Sequence, residues 1–168
     1  MKKIGIFYGS TTGTTAKVAR KIGAALNVDP NDIHDVSNVG PAAVGEYELL
    51  LLGTSTWGNG EVQTDWYDFG EGMKALSLKG KKIAFFGCGN EKMKKTFCNG
   101  IERVYDYVKD TGADFIGEFN AEGYTFENSA ARDEKTSLMR GLVLDEGNEA
   151  KLTDSRIKEW TALLTKEI

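Results

Sequence analysis

The stretch Gly9-Ser10-Thr11-Thr12-Gly13-Thr14-Thr15 decides the fold, because it joins a short apolar run to a segment with helical periodicity. The apolar run, residues 4–8, predicts a buried strand, and the spacing of Val18, Ile22 and Leu26 predicts a helix. Residues 9–15 are therefore predicted to form a strand-to-helix turn at the carboxyl edge of a first strand. Five hydroxyl side chains and the free N–H groups of a helix start share this turn.

The chemistry of this turn favours a phosphate group. Its hydroxyl and N–H groups donate hydrogen bonds, and Gly9 and Gly13 let the backbone approach a ligand closely. The turn has neither the Gly-Lys-Ser/Thr of nucleoside-triphosphate loops nor the Gly-x-Gly-x-x-Gly of dinucleotide sites. An uncharged turn of this kind fits a single phosphomonoester best. The alternative is an ordinary helix start capped by one hydroxyl, which would leave the other four hydroxyls unexplained.

The overall composition predicts one globular domain, residues 1–168. Of the 168 residues, 40% are hydrophobic and 27% are charged, and the net charge is −4. An acidic chain without a basic stripe is a poor partner for nucleic acid, and no apolar run is long enough to cross a membrane. The start, Met1-Lys2-Lys3, leads directly into a strand and lacks the features of a signal peptide, so a cytoplasmic location is expected. Two cysteines and one histidine supply neither a disulfide framework nor a metal site.

Apolar segments alternate with helical patterns along the chain. After the first strand, further strands are predicted at residues 32–36, 48–53, 81–87, 113–119 and 140–144. The alternation predicts an α/β fold, a doubly wound parallel sheet with helices on both faces. Ligands of such sheets bind at the carboxyl ends of the strands, where the loops 9–15, 54–63 and 87–95 should meet.

The second and third loops add an aromatic plate and polar groups. Trp57 is flanked by small residues, so we expect an exposed ring on which a flat ligand stacks, although it could instead fold back on the domain. Gly58 and Gly60 permit turns with positive φ, and Asn90 adds an amide with donors and acceptors. Together the three loops describe a site for a phosphorylated planar ring system.

Five stretches of this sequence resemble, in order, the motifs of a flavodoxin. They are residues 3–15 (KIGIFYGSTTGTT), 56–66 (TWGNGEVQTDW), 87–89 (GCG), 123–126 (GYTF) and 141–146 (GLVLDE). The resemblance covers nearly the whole chain. It implies a flavodoxin-like, five-stranded sheet of order 2-1-3-4-5 and non-covalently bound FMN. It also implies a low-potential one-electron carrier rather than an enzyme, with no catalytic residues of its own.

The resemblance further implies partners and subclass. The carrier would shuttle electrons between a reductase and acceptor redox enzymes in transient complexes, and a monomer is expected. The polar insertion in the last strand, at about residues 120–139, resembles that of long-chain flavodoxins.

The resemblance also implies which residues bind the cofactor. The phosphate would be held by Ser10, Thr11, Thr12, Gly13, Thr14 and Thr15. The ring would be bordered by Ser55, Thr56, Trp57, Gly58, Asn59, Gly60, Cys88, Gly89, Asn90, Met93, Lys94, Phe97 and Cys98. Trp57 would cover one face of the flavin. The peptide between Gly58 and Asn59 would flip, so that its carbonyl accepts a hydrogen bond from N5–H of the reduced ring.

The third loop departs from the family pattern, in which an Asp and then a Tyr follow Gly-x-Gly. Residues 90–97 contain no Tyr and are about one residue short, so Met93 or Lys94 is the nearest occupant, whereas Phe97 is expected in the core. Three lysines in this loop, Lys92, Lys94 and Lys95, should ease the addition of the second electron. We therefore predict a second reduction potential less negative than in relatives that carry the Tyr.

Acidic residues follow the second loop, namely Glu61, Asp65, Asp68 and Glu71. They could disfavour the anionic reduced flavin and steer basic reductases, or simply form a solvated helix face. Two rival functions remain: an FMN-dependent NAD(P)H:quinone-type reductase on the same fold, and a flavin-free binding module such as a receiver domain. A nucleophilic Cys88 is a further alternative, but no base neighbours it in the sequence.

Overall fold

Seven strands and four α-helices alternate along residues 3–168, the part of the chain described by this computed structural model. Residues 1–2, with which the predicted domain begins, lie outside it. The strands are β1 (Ile4–Gly9), β2 (Ile33–Asp35), β3 (Leu49–Trp57), β4 (Glu61–Val62), β5 (Lys82–Cys88), β6 (Asp114–Phe115) and β7 (Gly141–Leu144). The helices are α1 (Thr14–Ala25), α2 (Trp66–Lys74), α3 (Gly100–Val108) and α4 (Ala150–Glu167), with short 3₁₀ helices at Pro30–Asp32 and Pro41–Glu46.

The parallel strands run in the order β2-β1-β3-β5, and both β6 and β7 pair with β5. β6 pairs with residues 82–83 of β5 and β7 pairs with residues 85–88, so the two are pieces of one edge strand. Counted as one strand, they complete the predicted order 2-1-3-4-5. The predicted α/β class and strand order are thus confirmed.

The core lies on both faces of the central strands. Leu49, Leu50, Leu51 and Leu52 are consecutive and each is at most 1% exposed, as expected for a strand covered on both sides. α1 packs against α4, and α2 packs against α3. Burial of a leucine side chain contributes about 1.5–3 kcal/mol, so these four residues together contribute roughly 6–12 kcal/mol of packing free energy.

A short hairpin replaces much of the predicted loop 54–63. β3 continues to Trp57, and β4 returns antiparallel, with Thr56 opposite Val62. The prediction of a loop from residue 54 was wrong, because this stretch pairs with both β5 and β4. The turn closes with a hydrogen bond of 3.1 Å from the Gly60 N–H to the Trp57 carbonyl.

The last strand and the last helix also differ from the predicted bounds. β6 ends at Phe115 rather than residue 119, so residues 116–140 separate the two pieces of the edge strand. Thr153 is of a residue type that often caps helices, but it lies inside α4, which begins at Ala150. Thr153 is instead fully buried, and its hydroxyl donates to the Glu146 carboxylate.

Candidate functional site

A crevice of about 410 Å³ lies where β1, β3, β5 and β7 reach their carboxyl ends. It is lined by Thr12, Thr14, Lys17, Ser55, Thr56, Trp57, Cys88, Gly89, Asn90, Glu146 and Gly147. The three loops predicted to converge all contribute to it. The structure therefore brings the hydroxyl-rich turn, the Trp57 loop and the third loop to one place.

The hydroxyl-rich turn leaves the start of α1 uncapped. Gly13 occupies the N-cap position with a left-handed φ of 92°, and no side-chain cap bonds the helix start. The Gly13 N–H donates to Ser10 Oγ at 3.1 Å. The first turn of α1 also has no acidic residue. Its N–H groups and the positive end of its dipole are thus available to an anion.

Thr15, on the same turn, carries a buried hydroxyl without a hydrogen-bond partner. Thr15 is 1% exposed, and its Oγ1 makes no hydrogen bond within residues 3–168. The hydroxyl does lie beside the Cys88 thiol and lowers its pKa, but the pair does not meet the geometric criteria of a hydrogen bond. A buried polar atom without a partner is unfavourable, and a bound anion would supply the acceptor.

Trp57 stands at the opposite side of the crevice. Its side chain is 41% exposed, which confirms the predicted exposed ring. The indole N–H donates to Ser55 Oγ at 2.8 Å, so the ring has a fixed orientation rather than a free one. By contrast Trp66 is fully buried, and its indole N–H donates to the Gly53 carbonyl at 2.9 Å.

Gly58 and Gly60 differ in the space that is available for a side chain at each position. Both have positive φ, 52° and 100°. A Cβ on Gly60 would come within 2.7 Å of the Asn99 side chain, whereas a Cβ on Gly58 would meet nothing closer than 3.6 Å. A side chain would therefore clash at Gly60, whereas there is room for one at Gly58, next to Asn59.

A hydrogen-bonded network anchors the third loop to the end of β7. Asp145 is 1% exposed and accepts from the Glu91 N–H at 2.9 Å. Asn148 Nδ2 donates to Asp145 at 2.7 Å and to Asn90 Oδ1 at 2.9 Å. These contacts hold Asn90 at the crevice rim.

The long segment between β6 and β7 also holds this loop. Glu91, 3% exposed, accepts from the Thr125 N–H at 2.7 Å. The Lys94 carbonyl accepts from the N–H groups of Glu127 and Asn128, both at 2.8 Å. The insertion thus fixes the backbone of the loop at several points.

Several residues of the predicted set do not line the crevice. The side chains of Phe97 and Cys98 lie in the core, at 1% and 0% exposure. The expectation of Phe97 in the core is confirmed, whereas neither side chain lines the crevice, so their inclusion among the residues that border the ring is corrected. Phe97 packs on Phe126 with ring centroids 4.7 Å apart, and it precedes α3 rather than belonging to it. Met93, 46% exposed, and Lys94 project from the loop outside the crevice lining.

The remaining predicted residues flank the crevice or lie beneath it. They are Ser10, Thr11, Gly13, Thr15, Gly58, Asn59 and Gly60. The Gly13 N–H donates a hydrogen bond to Ser10 Oγ, and Thr15 and Gly60 are buried. Their backbone N–H groups belong to the two turns that border the crevice.

Three lining residues escaped prediction: Lys17, Glu146 and Gly147. The Lys17 ammonium lies 3.9 Å from the Glu146 carboxylate. Lys17 follows Thr14 by one helical turn, and that spacing was the available signal, because residues three apart share a helix face. Glu146 and Gly147 follow β7, which runs parallel to β5 and ends at the same edge of the sheet.

Cys88 lacks the properties of a nucleophile. Burial raises the pKa of its thiol to about 12, an effect that the neighbouring Thr15 hydroxyl offsets only in part. Burial likewise raises the pKa of Cys98. Since the thiolate is the reactive form, both thiols are unreactive near neutral pH.

Two negative findings apply to residues 3–168. This part of the chain has no helix with the length and apolarity needed to cross a membrane. It also contains no group of three or more His, Cys, Asp or Glu residues arranged to hold a metal ion.

Comparisons with known proteins, by sequence and by structure, agree on one family. The flavodoxin family model matches residues 6–160. A flavodoxin of Buchnera aphidicola (subsp. Acyrthosiphon pisum) is 40% identical over 161 residues, covering 95% of this chain and 94% of that protein. Flavodoxin 1 of Escherichia coli K12 is 34% identical over 165 residues, covering 98% and 93%.

A solved structure agrees with these relatives. The crystal structure of Fusobacterium nucleatum flavodoxin bound to flavin mononucleotide superposes with a TM-score of 0.90 at 31% identity, covering 100% of this chain and 99% of that one. The chain described here belongs to the flavodoxin family.

Proposed function

We propose that this protein is a one-electron carrier that binds FMN non-covalently in the crevice between the hydroxyl-rich turn and Trp57. Flavodoxins are electron-transfer proteins rather than enzymes, so the chemistry is that of the flavin, which accepts and releases single electrons. The protein supplies binding, orientation and electrostatics. The observation that carries the proposal is an uncapped, hydroxyl-rich turn that borders the same crevice as an exposed, oriented indole.

The residues of the crevice fit each part of FMN. The N–H and hydroxyl groups of residues 10–15 would bind the phosphate, and the missing acceptor for Thr15 is what a phosphate oxygen provides. Trp57 would stack on one face of the ring. Backbone groups of Cys88 and Gly89, with the Asn90 side chain, would border its polar edge. The chain itself thus offers donors where the ligand is anionic and an aromatic surface where it is flat.

The turn after Trp57 is suited to respond to reduction. Gly58 has φ 52° and a clear space where a Cβ would be, so the Gly58–Asn59 peptide can adopt two orientations at little cost. At Gly60 a side chain would clash with Asn99, so this position requires glycine, with φ 100°. A peptide carbonyl turned towards the ring would accept a hydrogen bond from a ring N–H, and the ring offers that N–H only when it is reduced.

We further propose transient redox partners that bind at this rim of the molecule. Glu61, Asp68 and Glu71 are exposed, and Asp65 is partly buried against Gln63. Exposed carboxylates accelerate encounter with basic proteins and do so less at high salt. A reductase and an acceptor enzyme would therefore both approach this acidic side, consistent with the predicted monomer in the cytoplasm.

The interrupted edge strand supports assignment to the long-chain subclass. Residues 116–140 separate β6 from β7 and hold the third loop through Thr125, Glu127 and Asn128. With no Tyr in that loop and with exposed Lys92, Lys94 and Lys95, we expect a second reduction potential less negative than in Tyr-bearing relatives. Comparison with the double variant Met93→Tyr, Lys94→Glu tests this, and a potential that stays unchanged or rises would reject it.

Fluorescence titration of the FMN-free protein with FMN tests the proposal. Stacking on Trp57 should quench the flavin, and Trp57→Leu should weaken binding by roughly 10-fold or more, since base–aromatic stacking contributes about 1–3 kcal/mol. Tyr67→Leu is the matched control, because Tyr67 is 46% exposed but does not line the crevice. Failure of the wild type to bind FMN would overturn the proposal.

A further inference from the structure

Two charged side chains face each other across the crevice beside the hydroxyl-rich turn. The Lys17 ammonium and the Glu146 carboxylate lie 3.9 Å apart, and both line the crevice with Thr12 and Thr14. The Glu146 charge is of the wrong sign for a site that takes a phosphate. Its presence there needs a balancing cation, and within residues 3–168 Lys17 is the cation of the crevice lining.

The two members of the pair differ in freedom. The Glu146 side chain is 14% exposed and accepts a hydrogen bond from the Thr153 hydroxyl, so it is held in place. The Lys17 side chain is 59% exposed and touches Glu146 only at the outer limit of an ion pair. Lys17 is therefore the movable member, and Glu146 is the fixed one.

The helix directs Lys17 towards the turn. Lys17 lies one turn after Thr14 at the start of α1, and side chains on a helix tilt towards its N-terminus. The ammonium can thus lie beside the place where the uncapped N–H groups of the turn would bind an anion, while it remains near Glu146. Lys21, one turn further, pairs with Asp154 at 2.7 Å and does not line the crevice.

We propose that Lys17 is a movable counterion that makes the crevice selective for phosphorylated over unphosphorylated flavins, with Glu146 keeping it at the rim before the ligand binds. This inference rests on the proposed function. Without a ligand, Lys17 neutralises Glu146. With FMN bound, the ammonium turns to the phosphate and also screens it from Glu146, so that the uncharged hydroxyl turn accepts a dianion.

The test compares FMN with riboflavin, which has the same ring without the phosphate. A unit charge a few ångströms from a phosphate dianion in a water-like dielectric changes affinity by roughly tenfold. Lys17→Met should weaken FMN binding by about this factor and Glu146→Gln should strengthen it, while neither changes riboflavin binding. The double variant should return close to the wild-type FMN affinity, because attraction and repulsion are removed together.

Lys21→Met serves as the control, since it removes the same charge from the same helix outside the crevice. It should leave FMN affinity unchanged at physiological salt, where charges beyond about 8 Å are screened. Equal effects of Lys17→Met on FMN and riboflavin, no effect on either, or an equal effect of Lys21→Met would overturn the inference. A wild type that binds neither flavin would overturn the proposed function instead. Thermal unfolding of each variant shows whether the fold stays intact, above all for Glu146→Gln, since Glu146 is only 14% exposed and bonded to Thr153.

Discussion

Replacement of Thr15 by valine separates the role of this residue in binding from any role in folding. Valine has nearly the shape of threonine but lacks the hydroxyl, which is buried and unpartnered in the structure. In most buried threonines the hydroxyl is bonded, and its removal lowers stability. Here we expect the opposite effect on stability, together with a loss of cofactor affinity.

The magnitudes follow from the surroundings of Thr15 Oγ1. Leaving a buried polar group unbonded costs about 1–3 kcal/mol, and we take the lower end because the hydroxyl lies beside the Cys88 thiol. The FMN-free variant should therefore be about 1 kcal/mol more stable, which raises Tm by about 2–4 °C. A hydrogen bond to a charged group contributes about 1.5–3 kcal/mol, so its loss should weaken FMN binding by roughly 10- to 150-fold.

Calorimetric unfolding of the FMN-free protein and fluorescence titration with FMN measure the two effects. Thr161→Val is the control: Thr161 is also buried, at 6% exposure, but its hydroxyl donates to the Ile157 carbonyl at 2.9 Å. That variant should leave affinity unchanged and should not gain stability. If Thr15→Val kept wild-type affinity, or if it lowered stability by 1 kcal/mol or more, the reasoning about the unpartnered hydroxyl would be refuted.

Three further substitutions test other parts of the structure. Burial lowers the pKa of His34 below its usual value near 6.5, so on acidification the unfolded state takes up the proton first. The free energy of unfolding should therefore fall as the pH is lowered from about 7.5 to about 5.5. His34→Gln should flatten this pH profile in denaturant titrations. Gly60→Ala, at φ 100° and against a neighbouring side chain, should lose about 1–3 kcal/mol of stability, whereas Gly40→Ala, at φ −84° in open space, should lose almost none. Glu91→Ala should release the third loop and speed FMN dissociation measured by stopped flow, whereas Glu127→Ala, which keeps its backbone bond to the loop, should not. Unchanged behaviour in His34→Gln, Gly60→Ala or Glu91→Ala would contradict the corresponding argument.

The sheet and the exposed indole were predictable because their signals are local. Four consecutive leucines can be accommodated in a strand that is buried on both faces, and a Trp among Gly, Ser and Thr has no apolar neighbours to bury it. Strand order and the meeting of the loops then follow from general rules for parallel sheets.

The charged pair and the capping pattern were not predictable, because they depend on the tertiary arrangement. Lys17 and Glu146 are far apart in the chain and meet only because α1 and the end of β7 border the same crevice. Thr153 resembles a cap in sequence, but the helix start depends on where β7 ends and how residues 145–149 turn. Cys98 belongs to the loop that was expected to border the ring, yet its side chain is fully buried in the core, and that placement depends on tertiary packing.

Anaerobic reduction of the FMN-loaded protein with dithionite, followed by absorption spectroscopy, tests the central claim most directly. A one-electron carrier should bind one FMN and take up its two electrons in separate steps with distinct spectra, and it should not oxidise NADH or NADPH by itself. Uptake of both electrons in a single step, steady consumption of a nicotinamide, or a protein that remains colourless with FMN would contradict it.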